Sequence, residues 1–179
     1  ILKKGSPVAF PTDTVPALAA APKFSKKLWK LKQRPLSKPL ILMGENAEEL
    51  FAFISPNAKD DAWEMAKRFW PGALTMVLPA DGDLVSVMNP GKESLGIRVP
   101  ALGMAKELLA QTGPLATTSA NISGETPSLT AEDVARSFPG LPLLGPLPWP
   151  TSLGFASTVL AWKAPGKWHV LRKGAVIIE

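Results

Sequence analysis

The 179-residue chain is long enough for one domain with a proper core, and its 46% hydrophobic and 20% charged residues are those of an ordinary globular protein. It contains no cysteine and a single histidine, His169, which excludes disulfides and thiolate chemistry and leaves little for a multi-histidine metal site or a Ser–His–Asp triad. A net charge of +5 and a pI near 9.6 suit polyanionic partners without requiring them, no apolar run approaches the roughly 20 residues of a membrane span, and nothing resembles a signal peptide.

The chain opens at Ile1 almost directly ahead of a strand, so further residues, such as a helix, are expected upstream. Pro7–Phe10 predicts a short buried strand that ends at Pro11-Thr12-Asp13-Thr14, whose hydroxyls and carboxylate either touch a polar ligand or cap the next helix. From Ser25, Leu28 and Leu31 spaced among lysines predict a basic amphipathic helix. It delivers Lys32-Gln33-Arg34 to Pro35, which stops it. Pro39–Met43 is a strand. Asn46 with Glu49 marks a helix start whose core face would be Leu50, Phe53 and Ile54. A longer helix, Ala58–Phe69, ends at Pro71-Gly72. Leu74–Leu78 is a strand, Asp81-Gly82-Asp83 a turn, and Gly96–Val99 a strand in which Arg98 points away from Ile97 and Val99. An arginine on a sheet face needs an anion or an open cavity. Helix Met104–Gln111 leads to strand Leu115–Thr118, and Thr130–Phe138 is a helix with Thr130 and Asp133 at capping-box spacing. A Pro/Leu-rich loop, Gly140–Pro150, precedes three closing strands at Ser157–Trp162, Trp168–Arg172 and Ala175–Ile178. Interleaved helices and strands without a repeat predict an α/β protein with a mixed sheet and no visible domain boundary.

The stretch LATTSANISGETPS, residues 115–128, is the most informative. A strand that runs into Ser119, Asn121, Ser123 and Gly124 presents hydroxyls, an amide and open backbone at a strand end, where α/β sheets bind ligands. Pooled with Thr12, Thr14, Lys32, Arg34, Arg98 and Arg172, it makes a site rich in fixed positive charge and poor in carboxylates and imidazole. Such a site holds phosphates or carboxylates and works by positioning and charge stabilisation, which fits phosphoryl or nucleotidyl transfer better than acid–base hydrolysis. Neither GxxxxGK[ST] nor GxGxxG occurs, so an ATP site here is of another kind. The tryptophans read as core and rim; only Trp29, amid Lys26, Lys27, Lys30 and Lys32, hints at a base-stacking surface.

Five blocks in order, FPTDTV (10–15), LKQRPLSKPL (31–40), FWPGALTMVLPA (69–80), LGIRVP (95–100) and TSANISGETPS (118–128), with weaker echoes in ASTV (156–159) and LRKGAV (171–176), make the chain resemble the YrdC-like threonylcarbamoyl-AMP synthases. The resemblance is to the short, single-domain form. It implies a twisted mixed sheet flanked by helices around a basic cavity, and the joining of L-threonine, bicarbonate and ATP into threonylcarbamoyl-AMP and pyrophosphate, with Mg²⁺ accompanying ATP. It implies a cytoplasmic enzyme with no membrane association and no metal held by protein side chains, whose product passes to a tRNA threonylcarbamoyl-transferase complex.

Residue by residue, the resemblance implies that Lys32 and Arg34 are catalytic. Arg34, Lys38, Ser94, Ser119, Asn121, Ser128 and Arg172 would bind ATP, and Thr14, Arg98, Thr117 and Ser157 would bind threonine. The chain departs from the family at Pro16-Ala17-Leu18, where Tyr-Gly-Leu is usual, at Met43, where many members carry histidine, and at Thr126, an extra residue in the nucleotide loop. These changes are expected to reshape the pocket wall near Thr14 and bear on substrate choice. Two rival expectations are a non-catalytic module of the same fold that binds double-stranded RNA or tRNA, and a relative of the hydrogenase-maturation proteins using another carbamoyl donor.

Overall fold

The computed structural model describes residues 1–178. Eight strands, β1 (Val8–Phe10), β2 (Ala17–Ala20), β3 (Ile41–Met43), β4 (Leu74–Pro79), β5 (Ser94–Arg98), β6 (Leu115–Ser119), β7 (Thr158–Ala164) and β8 (Lys167–Arg172), form one open sheet in the order β1-β2-β6-β3-β5-β4-β7-β8. Only the β3–β5 and β4–β7 pairs are parallel, so the sheet is mixed, as expected. Six α-helices accompany it among the described residues: α1 (Lys26–Leu31), α2 (Ala47–Phe51), α3 (Lys59–Phe69), α4 (Gly82–Met88), α5 (Gly103–Thr112) and α6 (Ala131–Ser137).

The two faces of the sheet are used differently. Alternation along the strands sends Leu18, Ala20, Leu42, Met76, Leu95, Ile97, Ala116 and Leu160 to one face. There they join buried residues of α1, α2, α3, α4 and α6 in the larger core. Ala17, Ala19, Met43 and Leu115 point the other way and join Leu2, Val8, Phe10 and, from α5, Ala105 and Leu109 in a second, smaller core. By the same alternation Arg98, Thr117 and Ser119 belong to this less covered face. The polar residues of the sheet are thus collected where few helices shield them.

One strand was not foreseen and three expectations need correction. Ala17–Ala20 is a strand that shows no period because all four residues are buried, and alanine gives little β signal. Asp81-Gly82-Asp83 is not simply a turn: Gly82, at φ 86°, opens α4, which buries Val85 and Met88. Helix α2 ends at Phe51, so Phe53 lies beyond it and is 40% exposed instead of joining Leu50 and Ile54 in the core. Ala175–Ile178 is not a strand. It is tied down by the Ala175 N–H to the Ala156 carbonyl and by Thr158 Oγ1, which bonds the Val176 N–H and carbonyl. Gly174 makes that path possible: a Cβ there would stand 2.3 Å from the Ala156 carbonyl oxygen.

Candidate active site

The Lys-x-Arg segment is a helix cap. The Gln33 N–H bonds the Lys30 carbonyl and the Arg34 N–H reaches back to the Trp29 carbonyl at 2.9 Å, the paired bonds of a Schellman motif. Gln33 occupies the left-handed position at φ 51°, where glycine is usual, and it is the only non-glycine residue with positive φ among those described. This reversal turns Lys32 and Arg34 toward the end of β6. Trp29 is 3% exposed and its Nε1 donates to the Lys38 carbonyl, so it is a core residue that pins the loop after α1, not a stacking platform.

Lys32 is 2% exposed. Its Nζ donates to the Ser119 carbonyl at 2.6 Å, to Ser119 Oγ at 2.7 Å and to Asn121 Oδ1 at 2.9 Å, which uses all three ammonium hydrogens. Ser119 Oγ in turn donates to Asn121 Oδ1, and Asn121 Nδ2 holds the carbonyls of Ile122 and Glu125. Burial, and then the nearby Arg34 and Lys38 charges, push the Lys32 pKa down to about 7 from 10.5. Arg34 donates through Nη1 to Thr118 Oγ1 and through Nη2 to the Pro39 carbonyl. Burial, and secondarily Arg172, lower its pKa. Arg172 donates through Nε and Nη2 to the Ser157 carbonyl, and Ser157 Oγ is hydrogen-bonded to the buried Thr75 at 2.8 Å.

Across the pocket, Arg98 is 3% exposed and differently held. Its Nη2 meets Asp13 Oδ2 at 2.8 Å, its Nη1 meets Thr14 Oγ1 at 2.7 Å, and its Nε meets the Gly72 carbonyl. Asp13 Oδ1 also accepts the Ala101 N–H. Burial lowers the Arg98 pKa, and the Asp13 charge works against that shift.

A cavity of about 200 Å³ lies between these groups. Its wall includes Thr14, Arg34, Arg98, Thr117, Ser119, Asn121, Ser157 and Arg172, with Val15, Ala17, Pro39, Ile41 and Met43 as its apolar part. Ala17 and Met43, two of the departures, are therefore pocket residues. Lys32 lies beneath the wall through its bonds to Ser119 and Asn121. Ser128 is 7% exposed beside the lining Pro127. Two residues do not line the pocket: the exposed Lys38, whose charge reaches Lys32, contributes its carbonyl to Trp29 and Arg34, and Ser94 sits at the opposite end of β5 from Arg98, bonded to Asn89. Thr118 also lines the pocket, and Asp13, Thr12 and Thr75 make contacts behind its wall. Only Thr12 and Asp13 had a signal in the sequence, as part of a polar turn.

A family model, Sua5_yciO_yrdC, described as telomere recombination, matches residues 1–174. The threonylcarbamoyl-AMP synthase of Bacillus subtilis (strain 168) is 38% identical over 167 residues, 90% of this chain and 48% of that protein. The synthase of Yersinia enterocolitica is 36% identical over 152 residues, 82% of this chain and 80% of that protein. Among solved structures, Pyrococcus abyssi Sua5 complexed with L-threonine superposes with a TM-score of 0.88 at 34% identity, over 97% of this chain and 52% of that one. Escherichia coli YciO shares the fold, with a TM-score of 0.81 at 22% identity. The chain spans about half the length of the first curated relatives it matches.

Proposed function

The chain belongs to the Sua5–YciO–YrdC family, and from that premise we propose that it condenses L-threonine, bicarbonate and ATP into threonylcarbamoyl-AMP and pyrophosphate. The observation that carries this reading is the charge distribution of the pocket. Arg34 and Arg172 line it with neutral oxygen acceptors alone, and the only ion pairs among the described residues are Arg98–Asp13 and Arg136–Asp133. Cations gathered without counter-charge favour a polyanion. A cavity of about 200 Å³ is smaller than the roughly 300–1,000 Å³ that enclose a drug-sized ligand. It suits the reacting ends of the substrates, with the rest of the nucleotide toward the mouth.

In this reading the α-amino group of threonine attacks bicarbonate, giving the carbamate and water, and a carbamate oxygen then displaces pyrophosphate from the α-phosphorus of ATP. Lys32 and Arg34 stabilise the charge that gathers on the phosphates, while Ser119 and Asn121 fix the Lys32 ammonium. Arg172 and Ser128 lie on the ATP side. Thr14, Arg98, Thr117 and Ser157 form the threonine side, where Arg98 retains two N–H groups without a partner among the described residues. No group of three His, Asp or Glu side chains capable of holding a metal occurs among the described residues, and Asp13 is committed to Arg98. The Mg²⁺ that accompanies ATP would therefore take its ligands from phosphates and water. A tRNA-modifying pathway in the cytoplasm, with a separate transferase taking the product, follows from this reading. The burial of Trp29 removes the aromatic that favoured an RNA-stacking role.

The test is to supply labelled bicarbonate with ATP and L-threonine and to follow the label. Label in an adenylate that also contains threonine is the expected result, lost in Lys32→Ala and Arg34→Ala. Label that never leaves bicarbonate, with folded protein, refutes the reading.

A further inference from the structure

Thr12 is 1% exposed and does not line the pocket, yet its hydroxyl decides what the neighbouring Thr14 offers to a ligand. Thr12 Oγ1 lies 2.7 Å from the Val15 carbonyl. A carbonyl only accepts, so the single Thr12 hydroxyl proton is spent there. The 3.0 Å contact between Thr12 Oγ1 and Thr14 Oγ1 must then run from Thr14 to Thr12. Thr12 Oγ1 also accepts the Thr14 backbone N–H at 3.2 Å, which fills both of its lone pairs. Thr14 Oγ1, having given up its proton, accepts Arg98 Nη1 at 2.7 Å and keeps one lone pair. Toward the pocket Thr14 is therefore an acceptor with no donor capacity.

This polarity sits beside a guanidinium with two N–H groups to spare. Donors next to a lone acceptor complement a carboxylate next to an amine, the two groups that every α-amino acid carries on one carbon. A Thr14 hydroxyl free to rotate would instead donate to a neutral amine and cap the lone pair needed for attack on carbon. We propose that Thr12 is a positioning residue: it fixes Thr14 as an acceptor, so that the amino group of the amino-acid substrate donates to Thr14 and holds its lone pair away from the wall. The proposal rests on the reading that an amino acid occupies this half of the pocket.

The test compares L-threonine with 3-hydroxybutyrate, the same skeleton without the amino group, by NMR titration against the wild type, Thr12→Val and Thr12→Ser. Thr12→Val keeps the shape and removes the hydroxyl, and Thr12→Ser restores it. Thr12→Val is expected to weaken L-threonine about tenfold, a hydrogen bond to a charged group, and to leave 3-hydroxybutyrate unchanged; Thr12→Ser should bind as the wild type does. Equal weakening of both ligands would make Thr12 merely structural and overturn the proposal, as would no weakening of either. Wild-type protein that binds neither ligand would refute the functional reading itself. If Thr12→Val does not fold, the wild type still decides. A slowly exchanging Thr14 hydroxyl proton with a nuclear Overhauser contact to Thr12 supports the wiring, and a freely rotating hydroxyl contradicts it.

Discussion

On one side of the pocket Arg98 is buried with Asp13, Thr14 and the Gly72 carbonyl around it, and its charge is balanced within the protein. On the other side Lys32, Arg34 and Arg172 are held by carbonyls, hydroxyls and an amide, with no carboxylate among their partners. The first arrangement is charge-balanced without a ligand and defines a shape and a polarity, with two Arg98 N–H groups to spare. The second stores repulsion: burial and neighbouring cations depress the pKa of both Lys32 and Arg34. A phosphate chain would relieve that repulsion, whereas a zwitterionic amino acid adds no net charge and has only to match the shape and polarity. The two halves should therefore fail differently when broken.

The largest effect is expected at the balanced half. Asp13→Ala leaves the Arg98 charge buried without its partner, which costs about 3–5 kcal/mol, and chemical denaturation of the empty protein should show the loss. Next, Arg34→Ala removes a charge from the pocket wall that the proposed function assigns to the phosphates. Turnover should fall by about 10²–10³-fold, while threonine affinity and folding stability stay near wild type. An Arg34 variant as unstable as the Asp13 variant would erase the distinction between the halves.

A smaller effect concerns protons. With its pKa near 7, Lys32 is mostly neutral in the empty site at about pH 8, and arriving phosphates would recharge it. Calorimetric titration with ATP in buffers of different ionisation heat should then show uptake of about one proton near pH 8 and little near pH 6, where Lys32 is already charged. The same depression means that the folded state binds fewer protons at Lys32 than the unfolded chain between about 7 and 10.5. The cost of burying the ammonium is thus fully present below about pH 7 and fades as pH rises through that window. Lys32→Met should stabilise the empty protein most at low pH, as melting temperatures across pH would report. The smallest expected effect is at the cap: Gln33→Gly relieves the left-handed backbone and should raise stability by about 0.5–1 kcal/mol without moving Lys32 or Arg34.

The sequence made the charged half readable because its parts are local. Lys32 and Arg34 flank one residue, Ser119 and Asn121 flank another, and the small polar run after β6 marks a strand end. The balanced half was only half visible. Arg98 stood out as an arginine on a sheet face, but its partner Asp13 lies 85 positions away and pairs only once β5 is folded against the turn after β1. Ala17–Ala20 carried no period, and an Asp-Gly-Asp turn signal hid the start of α4. Ser94 belongs to the same strand as Arg98, yet four residues of extended chain are about 13 Å, enough to leave it outside the pocket. Lys38 shows the converse: its carbonyl, which any residue would supply, makes the contacts with Trp29 and Arg34.

The division of labour implies that neither half is sufficient for turnover. Pyrophosphate release from ATP by the purified chain, with L-threonine and bicarbonate omitted in turn, tests this most directly. Release that requires both is the predicted result. Release from ATP alone, or none from folded protein given all three substrates, would contradict it.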